Sequence, residues 1–324
     1  MLINRLLVNG SKVTNMIIDA HCDALLKMWA NDASFESSPE LQVNYKKWKS
    51  SSVKVQCFAI FVPDDVPEES QFRAALEMVD LFFEQIIKPY DDIKFISSKQ
   101  DLLELDEHEK GAILTLEGCH PIGHDLTKLK TLIRLGVRAV GLTWNQANAV
   151  CDGIGEKRGA GLSAFGEEVI HLLNDEQIWT DVSHLSYQGF FDVMKLAKYP
   201  IASHSNAVAI APHHRNLDDK QIEAMIQKDG WIGVTFVPYF LTDADQATIS
   251  DVLRHVNYFI ARGAENCLGL GSDFDGTDTF VKALYDHMDY NHFIQQLRSV
   301  LTDEIVSKIS YQNFVNKFPR QRSS

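Results

Sequence analysis

The sequence predicts an α/β chain closed into a (β/α)8 TIM barrel, and three observations carry that expectation. Short apolar segments recur, each followed by a polar or glycine-containing turn and then by residues at helical spacing. Eight such segments alternate with helical stretches over about 300 residues, which is the arithmetic of a barrel. No Gly-x-Gly-x-x-Gly follows any of them, so the alternative, an open doubly wound sheet that binds a dinucleotide, lacks its strongest sign.

In chain order the expected strands are Met16–Ala20, Val53–Val62, Ala112–Leu116, Ala139–Thr143, Ile178–Val182, Pro200–Ser203, Ile232–Phe236 and Cys267–Gly271. Helices between them follow from apolar residues three or four apart, as at Phe72, Leu76, Val79, Phe83 and Ile86, and at Ile249, Val252, Val256, Phe259 and Ile260. Ala30 to Ser52 is polar and irregular, and is expected to be a loop or lid rather than core. No linker or repeat divides the chain. Residues 1–15 read as an N-terminal extension outside the barrel, 16–316 as a single barrel domain, and 317–324 as a short basic tail.

Of 324 residues, 45% are hydrophobic, enough for a sizeable core. Lys plus Arg is 31 against 44 Asp plus Glu, a net charge of −13 that repels phosphate backbones and argues against nucleic acid as a partner. The five cysteines are odd in number, widely spaced and form no Cys-x-x-Cys, so they are expected to be reduced, buried and not part of a site. No stretch approaches the ~18 apolar residues of a membrane span, and the first 15 residues carry no secretory pattern. A cytoplasmic protein with no membrane partner is expected.

The polar residues at the strand ends carry the chemistry. His21 and Asp23 end the first strand, two apart and therefore on one side of it. Glu117 ends the third, His184 the fifth, His204 the sixth and Asp273 the eighth. Barrel enzymes draw their site from the C-terminal ends of several strands. Singly, each of these residues is more often a hydrogen-bonded or capping group, as Asp19 and Asp181 are expected to be. Three His, one Asp and one Glu exceed what one tetrahedral zinc with an open position takes. They suit two ions sharing a carboxylate, with zinc favoured by mixed imidazole and carboxylate donors and cobalt or manganese as substitutes.

The set His21-Cys-Asp23, Glu117-Gly-Cys-His120, Leu142-Thr-Trp144-Asn145, Asp181-Val-Ser-His184, Ser203-His204-Ser205, His214-Arg215-Asn216 and Gly271-Ser-Asp273-Phe-Asp-Gly276 resembles the membrane (renal) dipeptidase family, peptidase family M19, in a soluble, bacterial-type form. The resemblance implies an amidohydrolase-like barrel with a binuclear zinc site acting on dipeptides, and a homodimer. It implies that His21 and Asp23 bind the first zinc, that His184 and His204 bind the second, and that Glu117 bridges them. Asp273 matches the general acid/base and Arg215 the substrate-binding arginine. A hydroxide held between two zinc ions would attack the peptide carbonyl, and Asp273 would carry the proton to the leaving amine. The pattern departs at Trp144, where renal-type enzymes carry a histidine; an indole donates one hydrogen bond but holds no charge, so Trp144 is expected to contact substrate or wall the pocket.

His120 and His214 are candidates to orient those ligands, and His108, His124, His171, His255, His287 and His292 are expected to face solvent. Two other functions compete with the dipeptidase. An N-acyl-amino-acid deacylase or lactonase would use the same metals but would not recognise a free amine. A non-catalytic barrel would be expected to have lost a ligand, and none is missing.

Overall fold

The computed structural model describes residues 16–320. Eight parallel strands close a barrel: β1 (Ile17–Asp19), β2 (Val53–Phe61), β4 (Lys110–Glu117), β5 (Val137–Gly141), β6 (Trp179–Asp181), β7 (Pro200–Ala202), β8 (Trp231–Val234) and β9 (Leu268–Leu270). Each coincides with an expected strand. A short β3 (Ile93–Phe95), which the apolar pattern did not mark, pairs with the first residues of β4 below the point where β5 joins. Asp19 opposite Leu270 joins the first strand to the last, and β2 pairs directly with β4 from Val55↔Gly111 to Phe61↔Glu117. All these pairings are parallel, so every barrel strand ends at the same rim.

The two rims differ. Trp179 and Trp231 begin β6 and β8, and both pack inside the barrel with Ile18, Val55 and Ile113. The C-terminal helix Asn313–Lys317 places Phe314 against them, at ring-centroid distances of 4.9 Å and 5.3 Å. The N-terminal rim is thereby plugged with apolar side chains, which leaves the C-terminal rim for polar ones. Residues 317–320, expected as the start of a basic tail, lie against this plug. Phe318 is 2% exposed and stacks edge-on against Trp179, and Arg320 O accepts the Lys99 amide at 2.6 Å. Residues 1–15 and 321–324 lie outside the described residues.

The outer layer follows the helical periodicity. Glu68–Leu81 buries Met78 and Val79 against the sheet, and Ile249–Ala261 buries Val252, Val256 and Phe259. The segment from Ala30 to Ser52 departs from expectation. Phe35, Leu41, Val43 and Trp48 are all essentially inaccessible and belong to the core, and Tyr45–Ser50 is helical with Asn44 as its cap. Its apolar residues are too sparse to show a period, but tertiary packing needs only those four to face inward. Among the described residues, no helix is long and apolar enough to cross a membrane.

Barrel closure has a polar clamp. The buried Asp19 carboxylate accepts the Ser272 amide at 2.8 Å, the Ser272 hydroxyl at 2.6 Å and the Tyr290 hydroxyl at 2.8 Å, tying β1 to the chain after β9 and to the helix outside it. Leaving a buried donor unpaired costs about 1–3 kcal/mol. Asp19→Ala is expected to lower stability by about 3 kcal/mol in urea unfolding because it strands the Ser272 amide, the His21 amide and the Tyr290 hydroxyl, while the Ser272 hydroxyl keeps His21 O.

Candidate metal centre

The six strand-end residues meet at the open rim. His21 and Asp23 follow β1, flanking Cys22, which paired amides hold to the next strand, Cys22 N to Cys57 O at 3.1 Å and Ala59 N to Cys22 O at 3.0 Å; Asp23 is also the residue that leads into the helix Ala24–Asn31. Glu117 is the last residue of β4, and His204 lies two residues beyond β7. His184 and Asp273 each lie three residues past a strand and have left-handed backbones, φ 69° and 63°. Such a conformation costs a non-glycine residue on the order of 1–3 kcal/mol and here turns both side chains back over the rim.

Distances define the cluster. His21 Nε2 lies 3.4 Å from Asp23 Oδ2, 3.5 Å from Glu117 Oε2 and 3.7 Å from Asp273 Oδ1. On the other side, Glu117 Oε1 lies 3.0 Å from His184 Nε2 and 3.6 Å from His204 Nε2. Donor atoms of His21, Glu117 and His204, and of His21, Asp23 and Asp273, are close enough to share an ion. Gly276 is required beside them: a Cβ there would stand 2.3 Å from Asp273 Oδ1 and 2.4 Å from Asp23 Oδ2.

Three carboxylates so close together repel, Asp23 and Glu117 buried and Asp273 half-buried, and their proton affinities are pushed apart. Burial together with Asp23 and Glu117 drives the Asp273 carboxyl well above its usual range, against the pull of His21. Burial and then Glu117 raise Asp23. Burial works against a charged His21, but the Glu117 and Asp23 carboxylates outweigh it and push that ring well up. Burial would raise Glu117 too, yet His21 and His184 hold it well below the usual carboxylate range. Burial, reinforced by Arg215, lowers His184 to about 4, and burial with His21 and Arg215 holds His204 well below its ordinary value. Both rings are therefore neutral at pH 7, the form in which imidazole binds a metal.

Second-layer contacts fix which ring nitrogen is free. His184 Nδ1 bonds Asn145 Oδ1 at 2.9 Å. His204 Nδ1 bonds Ser203 Oγ at 2.8 Å, and that hydroxyl donates to Asp181 Oδ2. An amide oxygen, and a hydroxyl whose hydrogen is already spent, both accept; each Nδ1 therefore carries the proton and each Nε2 a lone pair. Those two Nε2 atoms stand 2.9 Å apart, an arrangement that repels unless a cation lies against both. Buried His21 Nε2 and Asp23 Oδ1 have no hydrogen-bond partner at all. Donor types, tautomers and orphaned atoms all fit a divalent metal site. Asp181 does pair locally, accepting the Ser183 amide at 3.0 Å, and it also anchors this layer through Ser203; the role of Asn145 is one that the sequence did not reveal.

Above the cluster opens a cavity of about 270 Å³ lined by Asp23, Glu117, His184, Asp273, Arg215 and Trp144. Arg215 is 5% exposed; Nη2 donates to His204 O at 3.2 Å, its guanidinium lies 5.4 Å from the Phe240 ring centroid, and Nε is unpartnered. Trp144 packs against Phe61 at 5.1 Å. Tyr239, Phe240 and Phe61 complete the wall; sequence reasoning missed them, since isolated aromatics carry no spacing signal. His120 does not orient a ligand; its Nε2 donates to Val62 O at 2.7 Å. His214 lies on the cavity wall stacked with His213. His255 and His287 are fully buried rather than solvent-facing, bonded to Ala207 N and Leu241 O, and to Gln56 Oε1. All five cysteines are free and buried.

A barrel with this cluster at its open rim is the framework of a metal-dependent hydrolase. The model of the membrane dipeptidase family, peptidase family M19, matches residues 11–321; the chain belongs to that family and is a metal-dependent dipeptidase. It is similar to the dipeptidase aclJ of Aspergillus oryzae, 30% identical over 292 residues that span 85% of this chain and 69% of that protein. Among solved structures it resembles dipeptidase AC, an M19 metallopeptidase, with a TM-score of 0.89 at 26% identity over 96% of this chain and 100% of that one. A metallopeptidase from Rhodobacter sphaeroides, liganded with a phosphinate mimic of the dipeptide L-Ala-D-Ala, has the same fold, with a TM-score of 0.88 at 24% identity over 94% and 99% of the two chains.

Loss of a partner that orients a metal-binding His weakens metal binding about 10–100-fold. Asn145→Ala is expected to weaken metal retention at least about ten-fold in chelator competition, with the fold unchanged by circular dichroism.

Proposed function

We propose that this protein is a binuclear zinc dipeptidase that hydrolyses unblocked dipeptides, including those with a C-terminal D-residue, and that Asp273 is its general acid/base. The division of the Glu117 carboxylate carries the binuclear reading: Oε2 faces His21, and Oε1 faces His184 and His204. His21 and Asp23 would hold one ion, His184 and His204 the other, and Glu117 both. When bound, zinc supplies Lewis acidity that polarises the peptide carbonyl and makes water acidic near neutral pH; cobalt or manganese would serve as substitutes.

The chain's own residues do the rest. Asp273 lines the cavity with Oδ1 3.7 Å from His21 Nε2, where its carboxylate can take the proton of the attacking water and deliver it to the leaving amine nitrogen. Arg215 is fixed by His204 O and by the Phe240 ring, and its unspent donors suit the substrate's free carboxylate. Trp144 and Phe61 exclude water from one side and hold no charge there. A cavity of about 270 Å³ lies below the roughly 300–1,000 Å³ of drug-sized sites, which suits a two-residue substrate. The bound dipeptide mimic of the Rhodobacter sphaeroides relative supports a D-residue in second position. Five free cysteines support a reducing, cytoplasmic location.

Metal content of the purified protein is expected near two zinc per chain, and Glu117→Gln should lower that stoichiometry, as read by elemental analysis; two ions retained in the variant would overturn the bridging role. Asp273→Asn should keep the metal and lower kcat on L-Ala-D-Ala by about 10²–10⁴-fold. N-acetylated Ala-Ala should be a far poorer substrate than Ala-Ala; equal turnover would move the enzyme to the deacylase class.

A further inference from the structure

We propose that Asp275 and Gln42 form a clasp that positions the Asp273 carboxylate in the reaction cavity, an inference that rests on the role given to Asp273 above. Asp273 and Asp275 both have left-handed backbones, φ 63° and 69°, within three residues of each other. Each costs a non-glycine residue on the order of 1–3 kcal/mol, so this turn persists only where its surroundings enforce it. On the barrel side, Ser272 is held by Asp19, and Asp273 N donates to His21 O at 3.2 Å. On the outer side the constraint passes through Asp275. Its Oδ1 accepts the Gln42 amide at 2.8 Å, its Oδ2 accepts the Val43 amide at 3.0 Å, and its own amide donates to Gln42 Oε1 at 2.7 Å.

Lys27 Nζ lies 3.6 Å from Asp275 Oδ1, and Gln42 Nε2 donates to Tyr285 O at 2.5 Å, so the clasp is itself anchored. Asp275 and Gln42 are 3% and 7% exposed, and neither lines the cavity. They act at a distance, through the turn. The same turn meets the other carboxylate, since Asp23 N donates to Phe274 O at 2.9 Å. The segment after Asp23 thus returns through Gln42 to lock the loop bearing Asp273, and two of the three carboxylates that face His21, those of Asp23 and Asp273, are set by one lattice of bonds. Asp275→Asn puts an amide donor against a backbone N–H and loses one bond of the pair. Gln42→Ala keeps the backbone bonds to the carboxylate and removes the side-chain acceptor.

The test is a double-mutant cycle on the zinc-loaded protein with L-Ala-D-Ala, combining Asp275→Asn or Gln42→Ala with Asp273→Asn. A misplacement of about 1 Å at a reacting group costs roughly 10²-fold in rate. Each single clasp variant is expected to lower kcat about 10–100-fold, with KM within about two-fold and metal content at the wild-type level. In the Asp273→Asn background the same change should add nothing, because the group it positions is gone. A merely structural clasp would lower stability and leave kcat per folded molecule unchanged, or would multiply with Asp273→Asn; either result overturns the proposal. If Asp275→Asn does not fold, Gln42→Ala carries the same cycle. A wild-type protein that binds zinc and hydrolyses no dipeptide would instead overturn the dipeptidase reading, and this inference with it.

Discussion

Three carboxylates and three imidazoles buried within a few ångströms cannot coexist uncompensated, and the rest of the molecule is built around that constraint. Charge in a low-dielectric interior must be paired, protonated or shared with a cation. Arg215 is the fixed positive charge on the cavity wall, and it is bound to a backbone carbonyl rather than inserted among the acids. His21 is pushed toward its charged form by its neighbours, and Asp273 toward its neutral one. The opposed shifts describe a site whose natural occupant is a cation.

The barrel makes such a concentration possible. Parallel strands deliver their ends to one rim, and the aromatic plug of Trp179, Trp231 and Phe314 takes the apolar share of the interior to the other. The polar rim is supported by partners outside the cluster. Asp181 and Ser203 support His204, Asn145 supports His184, and Asp19 holds the Ser272 turn that leads to Asp273. A metal site is as much this outer layer as its ligands.

Selectivity follows from what surrounds the cluster. A small cavity with one buried guanidinium, three carboxylates and aromatic walls has the dimensions and the mixed charge that a dipeptide requires. Trp144 keeps the wall beside His184 neutral, so any oxyanion formed there depends on other groups for its charge.

The sequence by itself determined the barrel, through the spacing of eight apolar segments, and it marked the His, Asp and Glu side chains that meet at the rim, because residues at strand ends are legible one at a time. It marked neither β3, which has three residues and little apolar run, nor the burial of the Ala30–Ser52 segment, where four inward residues share no period. It misplaced His255 and His287, since a buried ring pairs with distant backbone or side-chain atoms that local pattern does not reveal. Only the tertiary structure decided the tautomers of His184 and His204, the backbone turns at His184 and Asp273, and the distances across Glu117. Those depend on partners as far apart in sequence as Asp19 and Ser272, or Gln42 and Asp275, which meet because the barrel closes.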